Sequence, residues 1–402
     1  MISSIPTQCD GTRALRVSDL WRIQDKIRYM HRRNFLQLAA AAPVFGSTLV
    51  ENPIYRTFSN HAPQNPPGMP GRYPGTAIRV RSGKSIDSLT GKVDAPTVRA
   101  MLSKGMQALT GQNQDRDAWA SFFEPSDVVG IKVNCSGAPK VMSTPEVVAG
   151  IVQNLIGVGV KAKQIWIYER FPDQLQSVHY DRFVPAGVNI YGVEQQRGSI
   201  IGYDPKTYVE VDFFGEDDTR SNLVRLVADR FTKIVNVPNM KDHGAAGVTG
   251  CLKNIAYGNF SNVARSHHHE KTNTLSFIGT LASVEPLRSR TVLNVMDGLR
   301  GIWHGGPFAK NPKFYFYPKQ LVFGTDPVAL DRLLIDVIED KRKAEGAVSV
   351  WDRSMKNIQQ KGGDLDPNVN RFIREPGHIA QAGRFGLGVY DLDQIRLTQL
   401  EV

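Results

Sequence analysis

The chain reads as an α/β protein, a mostly parallel sheet built from βαβ units and divided into two lobes. Three observations predict this. Apolar runs of strand length alternate with stretches of helical periodicity. The strongest runs are apolar throughout, as in strands covered on both faces. The composition, 402 residues with 41% apolar and 22% charged side chains, is that of a globular protein able to bury a sizeable core.

The first 50 residues stand apart from that pattern. His31-Arg32-Arg33-Asn34-Phe35-Leu36 precedes an apolar run from Leu38 to Gly46 that contains Pro43. Paired arginines ahead of Phe-Leu and a short, weakly hydrophobic stretch resemble the twin-arginine export signal; the competing reading is a basic start to a buried helix. Roughly 16 apolar-biased residues fall short of the ~20 that span a bilayer, so no stable transmembrane span is expected. Met30 directly precedes the motif and is the expected translation start, with residues 1–50 as the leader. The expected partner is the twin-arginine translocation machinery, and the expected location is periplasmic or secreted. No small-x-small cleavage site follows the apolar run, which leaves retention by an uncleaved leader open. Six prolines (Pro53, Pro63, Pro66, Pro67, Pro70, Pro74) mark residues 51–75 as an extended spacer. Residues 76–402 are then the α/β globular region.

In that region Asp127–Asn134 reads as a buried strand. Thr144-Pro145-Glu146 supplies an N-cap, a first-turn proline and a first-turn acid. Val147, Ile151, Leu155 and Val158 then share one helical face, and Gly157 and Gly159 end the helix. Gln164–Tyr168 is the next strand, completing a βαβ unit and implying a parallel sheet. The pattern recurs: a helix over Leu223–Phe231, and strands at Lys233–Val237, Val292–Met296 and Leu321–Gly324. A further helix is capped by Asp326, with Pro327 at its first position. Tyr208–Phe214 reads as an antiparallel or edge strand.

Charge and cysteine usage bound the function. Of the net +10, seven basic and three acidic side chains before Val50 leave +6 to the rest, a balance that suits anionic small molecules. No dense basic run with interleaved aromatics and no zinc-finger spacing occurs, so nucleic acid is not an expected partner. Three cysteines, Cys9, Cys135 and Cys251, exclude a disulfide scaffold. A Cys135–Cys251 bridge and two free thiols are equally compatible with the sequence.

Functional side chains in open α/β sheets gather where strands end, and four such places stand out. Lys132 and Asn134 point the same way on a strand and could reach one ligand, or could be solvated at the strand end. Asn236–Asn254 is the densest stretch. A helix from Gly244 onward would put His243, Gly247, Gly250 and Asn254 within ~40° of one another. Its N-terminus beside Lys241 and His243 would be an anion site; close helix–sheet packing with a structural histidine is the other reading. In Ser266-His267-His268-His269-Glu270, His267 and His269 can face one metal, whereas three adjacent histidines cannot; incidental surface histidines are the alternative. Asp297 through Pro307, a strand-end acid followed by a Gly-rich loop with His304, has the make-up of a ligand clamp. No Ser-His-Asp order, P-loop, G-x-G-x-x-G or H-E-x-x-H pattern occurs.

Together these stretches resemble the domain-of-unknown-function 362 family. The carrying residues are Val129–Asn134, Val237–His243, Val248–Asn254, Asp297-Gly298, Gly306-Pro307 and Gly324–Asp331, over about residues 125–340. Cys135 stands where the family more often has an aliphatic residue. Some relatives carry ferredoxin-like cysteine clusters; this chain has none, so no iron–sulfur cluster is expected. A fold-level likeness to the nickel-dependent lactate racemase group is analogy.

The expectation is an exported enzyme of isomerase or lyase type, metal-assisted, acting on a small polar or anionic molecule. Lys241, His243 and Lys253 are the candidate catalytic residues, and Lys132, Asn134 and Asn254 the candidate substrate-binding ones. His243, His267, His269, Asp297 and His304 are the candidate ligands for a divalent transition metal of unspecified identity. The alternative is a non-catalytic periplasmic ligand-binding protein, or a redox accessory using Cys135 and Cys251.

Overall fold

In the computed structural model, which describes residues 53–402 apart from 197, 268–271, 310, 353, 355, 359–365 and 371–373, the apolar run Val129–Val133 is buried at every position. It pairs in parallel on both sides, with Ile165–Glu169 and with Lys233–Val237. The large sheet runs in the order Arg396–Glu401, Thr76–Arg81, Gln320–Gly324, Thr291–Ile302, Lys233–Val237, Val129–Val133, Ile165–Glu169, Asn189–Gly192. Every pairing on this path is parallel except the two made by Gln320–Gly324. Short strands off the path bring the sheet to 11.

The first βαβ unit forms as its residues predict. The helix Pro145–Val158 has proline at its start and ends at Gly159 with φ 109, and it buries Val147, Ile151, Leu155 and Val158. Thr144 has the extended backbone of a cap but makes no capping bond with its side chain. The helix Pro327–Ala344 is capped by Asp326, which accepts from Ala329 N–H at 2.9 Å. Alternation along the strands sends successive side chains to opposite faces. Ile131, Val133, Val235, Val237, Leu293 and Val295 join one buried cluster. Ile234 and Met296 join the other, under the helices Gly250–Tyr257 and Thr274–Ala282.

Several expectations are corrected. Leu223 and Val224 end a strand, Arg220–Val224, and only Arg225–Asp229 is helical; antiparallel pairing with Tyr203–Glu210 overrides the helical pattern. Tyr203–Glu210 is the antiparallel strand read at Tyr208–Phe214, and Asp212 accepts from the Phe214 and Gly215 amides in the turn beyond it. The proline-rich segment is not a free spacer. Arg56–Phe58 pairs with Tyr208–Glu210, Phe58 stacks on Tyr208 at 4.5 Å, and Met69 is fully buried. In place of two lobes, Asn52–Val402 is one compact unit, with a satellite sheet of three strands. The leader expected over residues 1–50 lies outside the described residues. Among the described residues no helix is long and apolar enough to cross a membrane.

Candidate functional site

Three neighbouring strands each carry a buried polar residue at one aligned level. Lys132 sits opposite Asn236, and Asn236 opposite Asn294. All three are fully buried. They point away from the Ile131 and Val235 face, toward the helix Gly250–Tyr257, and they continue beyond the strand end with Asn134. Buried polar groups must be paired, and the asparagines are paired in one row. Lys241 Nζ donates to Asn134 Oδ1 at 2.7 Å. Asn134 donates to Asn254 Oδ1 (3.1 Å), Asn254 to Asn236 Oδ1 (2.8 Å), and Asn236 to Asn294 Oδ1 (2.9 Å). Asn294 ends the row at the carbonyls of Gly324 and Thr325.

Lys132 is tied elsewhere. Its ammonium donates to Glu169 Oε1 at 2.9 Å and to the Val133 carbonyl. Glu169 also accepts from the amides of Arg170 and Cys135, so this buried pair has the extra hydrogen bonds it requires. The Lys132 stem passes where Gly258 has no side chain: a Cβ there would lie 2.2 Å from Lys132 Cε.

The helix expected from Gly244 begins instead at Gly250. Asn239–His243 and Gly247–Val248 form a small antiparallel pair in which His243 faces Gly247, and that pairing displaces the helical turn. The helix N-terminus does receive an acidic side chain, and it is a residue of the chain itself. Asp331 accepts from the amides of Cys251 and Leu252 at 2.5 and 2.9 Å. The helix then projects Lys253 and Tyr257, four residues apart on one face, with Lys253 Nζ 4.6 Å from the Tyr257 ring centre.

Hydrogen-bond bookkeeping assigns the histidine tautomers. His243 Nδ1 accepts from the amides of Ala245 and Ala246, both at 3.1 Å, so its ring proton sits on Nε2. Burial, then the charges of Lys253, His267 and Arg374, hold its pKa well below the usual histidine range. His243 is therefore a neutral N–H donor. The His267 ring lies 5.2 Å from it. Ser266 gives its one proton to the Val263 carbonyl and so accepts from Tyr257 and from His267 Nδ1. The His267 proton is thus on Nδ1.

These side chains meet at a cavity of about 750 Å³ beyond the strand ends. Lys132, Asn134, His243, Lys253, Asn254 and His267 all line it. Lys241 sits behind Asn134, fully buried. Phe171, Val263, Pro307 and Phe308 form an apolar sector. Desolvation lowers the pKa of Lys241 to about 7, and desolvation with the Arg170 charge does the same for Lys253. Lys253 has no ion-pair partner among the described residues.

With this geometry in place, comparison with known families is decisive: the profile described as Domain of unknown function (DUF362) matches residues 129–336, just over half of the 402-residue chain. The chain belongs to the DUF362 family. Comparison with curated proteins and with solved structures finds no match. The DUF362 segment contains every residue that lines the cavity.

Not all of the expected site residues of this DUF362 chain converge. Asp297 does not line the cavity; its carboxylate accepts from the amides of Thr144 (2.6 Å) and Leu299 (3.0 Å) and anchors the helix that Thr144 fails to cap itself. Burial raises its pKa. His304 is also outside the lining. Arg342 donates to its Nδ1 at 3.0 Å, and its ring packs on Phe314. His243 presents an N–H and no lone pair to the cavity. Metal ligation therefore does not fit His243, Asp297 or His304, and no group of three or more metal-ligating residues occurs among the described residues. His269 lies outside them. Cys135 and Cys251 are both free and buried, in different hydrophobic clusters, which argues against a dithiol pair.

Sequence reasoning missed Glu169, Arg170 and Tyr257, and gave Asn236 no role beyond opening the densest stretch. Glu169 ends a strand, the place where site residues collect, and Asn236 is the lone polar residue of Lys233–Val237 after its first position. Those were the available signals.

Proposed function

We propose that the protein is an exported enzyme of isomerase or lyase type, which moves a proton on a small polar or anionic substrate held between Lys253 and His243. Export rests on the Arg32-Arg33 leader pattern. The catalytic reading rests above all on Lys253. Lys132 is held by Glu169 and Lys241 by Asn134, whereas Lys253 faces the cavity over the Tyr257 ring and has no hydrogen-bond acceptor among the described residues. An amine with a pKa of about 7 is poised both to take and to give a proton at neutral pH. His243, locked as the neutral Nε2–H tautomer, can polarise a carbonyl or carboxylate oxygen without charging itself. The cationic surroundings favour an anionic substrate.

A panel of hydroxy and keto acids, screened by thermal shift and then for turnover, tests this. His243→Asn should retain ligand binding and lose turnover on the order of a hundredfold. Lys253→Met should lose both. A wild-type protein that binds a panel member without converting it would support the non-catalytic binding alternative. Binding and turnover unchanged in both variants would remove the cavity as the site.

A further inference from the structure

Three buried or half-buried lysines surround the cavity, and their protons are held unequally. The Lys132 ammonium has a carboxylate and a carbonyl, and the Lys241 ammonium has an amide oxygen. Nothing among the described residues accepts a proton from Lys253. The described groups coupled to it are an arginine, already paired with Glu194 at 2.6 Å, and two histidines. Arg170 lies on the loop after Ile165–Glu169, His243 on its own strand, and His378 on the helix His378–Arg384; each is coupled electrostatically to Lys253. Tyr257 lies beneath it on the same helix. Among the described residues the one carboxylate lining the cavity, Glu169, is already engaged by Lys132 and two backbone amides. A lysine with no acceptor among the described residues, at the wall of a cavity, is held as a free amine, the form that attacks carbonyl carbon.

We infer that Lys253 condenses with an aldehyde or ketone group of the substrate to form an imine in this cavity. The inference deepens the proposed function and rests on the same site. The amine nitrogen bonds to the carbonyl carbon, and the carbon–oxygen π pair moves to oxygen and takes up a proton. The carbon–oxygen bond of this carbinolamine then breaks, and the oxygen leaves as water carrying the two hydrogens the amine gives up. No oxidant or reductant is consumed. His243 Nε2–H is the donor placed to hold the oxygen in the adduct. The substrate class that follows is a carbonyl compound with a small polar or anionic group. Its apolar body would lie against Phe171, Val263, Pro307 and Phe308, since about 750 Å³ exceeds what a three-carbon acid fills and falls in the range of larger ligands.

The test treats the full chain with glyoxylate and sodium cyanoborohydride at neutral pH and maps modified lysines by peptide mass spectrometry. Reduction converts an imine into a stable secondary amine. Lys253 should be modified about tenfold faster than the exposed Lys161 and Lys84. In Lys253→Arg the other lysines should label as before. Labelling of Lys253 no faster than of Lys161 overturns the inference. If glyoxylate also stabilises the wild type thermally, and Lys253→Met abolishes that, the cavity reading survives and only imine formation fails. If neither adduct nor stabilisation occurs with any keto acid of the panel, both fall.

Discussion

A lysine ammonium taken out of water loses hydration worth several kcal/mol, and Lys132, Lys241 and Lys253 meet that loss in different ways. The Lys132 amine is met by the Glu169 carboxylate at 2.9 Å. Lys241 and Lys253 give up their protons more readily, with pKa values of about 7 against 10.5 in the unfolded chain. Between those values the unfolded chain holds protons that the folded chain does not. Stability therefore falls as the pH drops from 10.5 toward 7 and levels off below 7. Lys253→Met removes one share of that slope. Its melting temperature should exceed the wild type's at neutral pH and converge with it near pH 10.5; a difference independent of pH would contradict the assignment. At His243, asparagine can place an oxygen where Nδ1 accepts from Ala245 and Ala246, whereas alanine leaves two buried amides unpaired. His243→Ala should cost about 1–3 kcal/mol more than His243→Asn by denaturant titration. The sequence marked both residues because lysine and histidine announce their chemistry by type. It did not reveal the tautomer, which is set by the two backbone amides that the turn after His243 folds onto the ring.

At the scale of elements, the βαβ unit over Val129–Glu169 was legible because apolar period, cap, proline and glycine agree there. The segment Asn239–Tyr257 was not. Its small residues suit a helix face as well as a tight strand pair, and the deciding contact, Asp297 opposite Asn239, comes from a strand some sixty residues away. The loop after Thr291–Ile302 shows the same dependence. A Cβ on Gly306 would come within 1.8 Å of the Asp242 carbonyl oxygen, backbone against backbone. Asp242 is itself fixed by Arg374 and Arg342, so it cannot retreat. Gly306→Ala should destabilise the protein by about 1–3 kcal/mol and weaken keto-acid binding, because Pro307 and Phe308 beside it form the cavity wall. Thermal denaturation and ligand titration on one sample would check both.

For the whole molecule, the fold class was readable and the partition was not. Proline density suggested a detachable spacer, yet Met69 is buried and its amide bonds the Arg288 carbonyl at 3.1 Å. A chain beginning at Thr76 should melt below one beginning at Pro53, by an amount set by burial of Met69, about 1.5–3 kcal/mol, and by the lost pairing of Arg56–Phe58. Equal melting temperatures would restore the spacer reading. Export is tested separately: exchange of Arg32 and Arg33 for lysine in the full precursor should leave it in the cytoplasm, as shown by cell fractionation.

The asparagine row carries one more implication. Every amide in it hands a hydrogen in the same direction, away from Lys241, and an amide nitrogen has no lone pair with which to receive a proton from behind. Such a row orients dipoles but cannot relay protons as a chain of water or hydroxyl groups does. It is an insulator laid across three strands. Protonation changes at Lys241 must therefore travel by some path other than this row, and the side of the molecule where Lys253 and His243 meet the cavity is shielded from them.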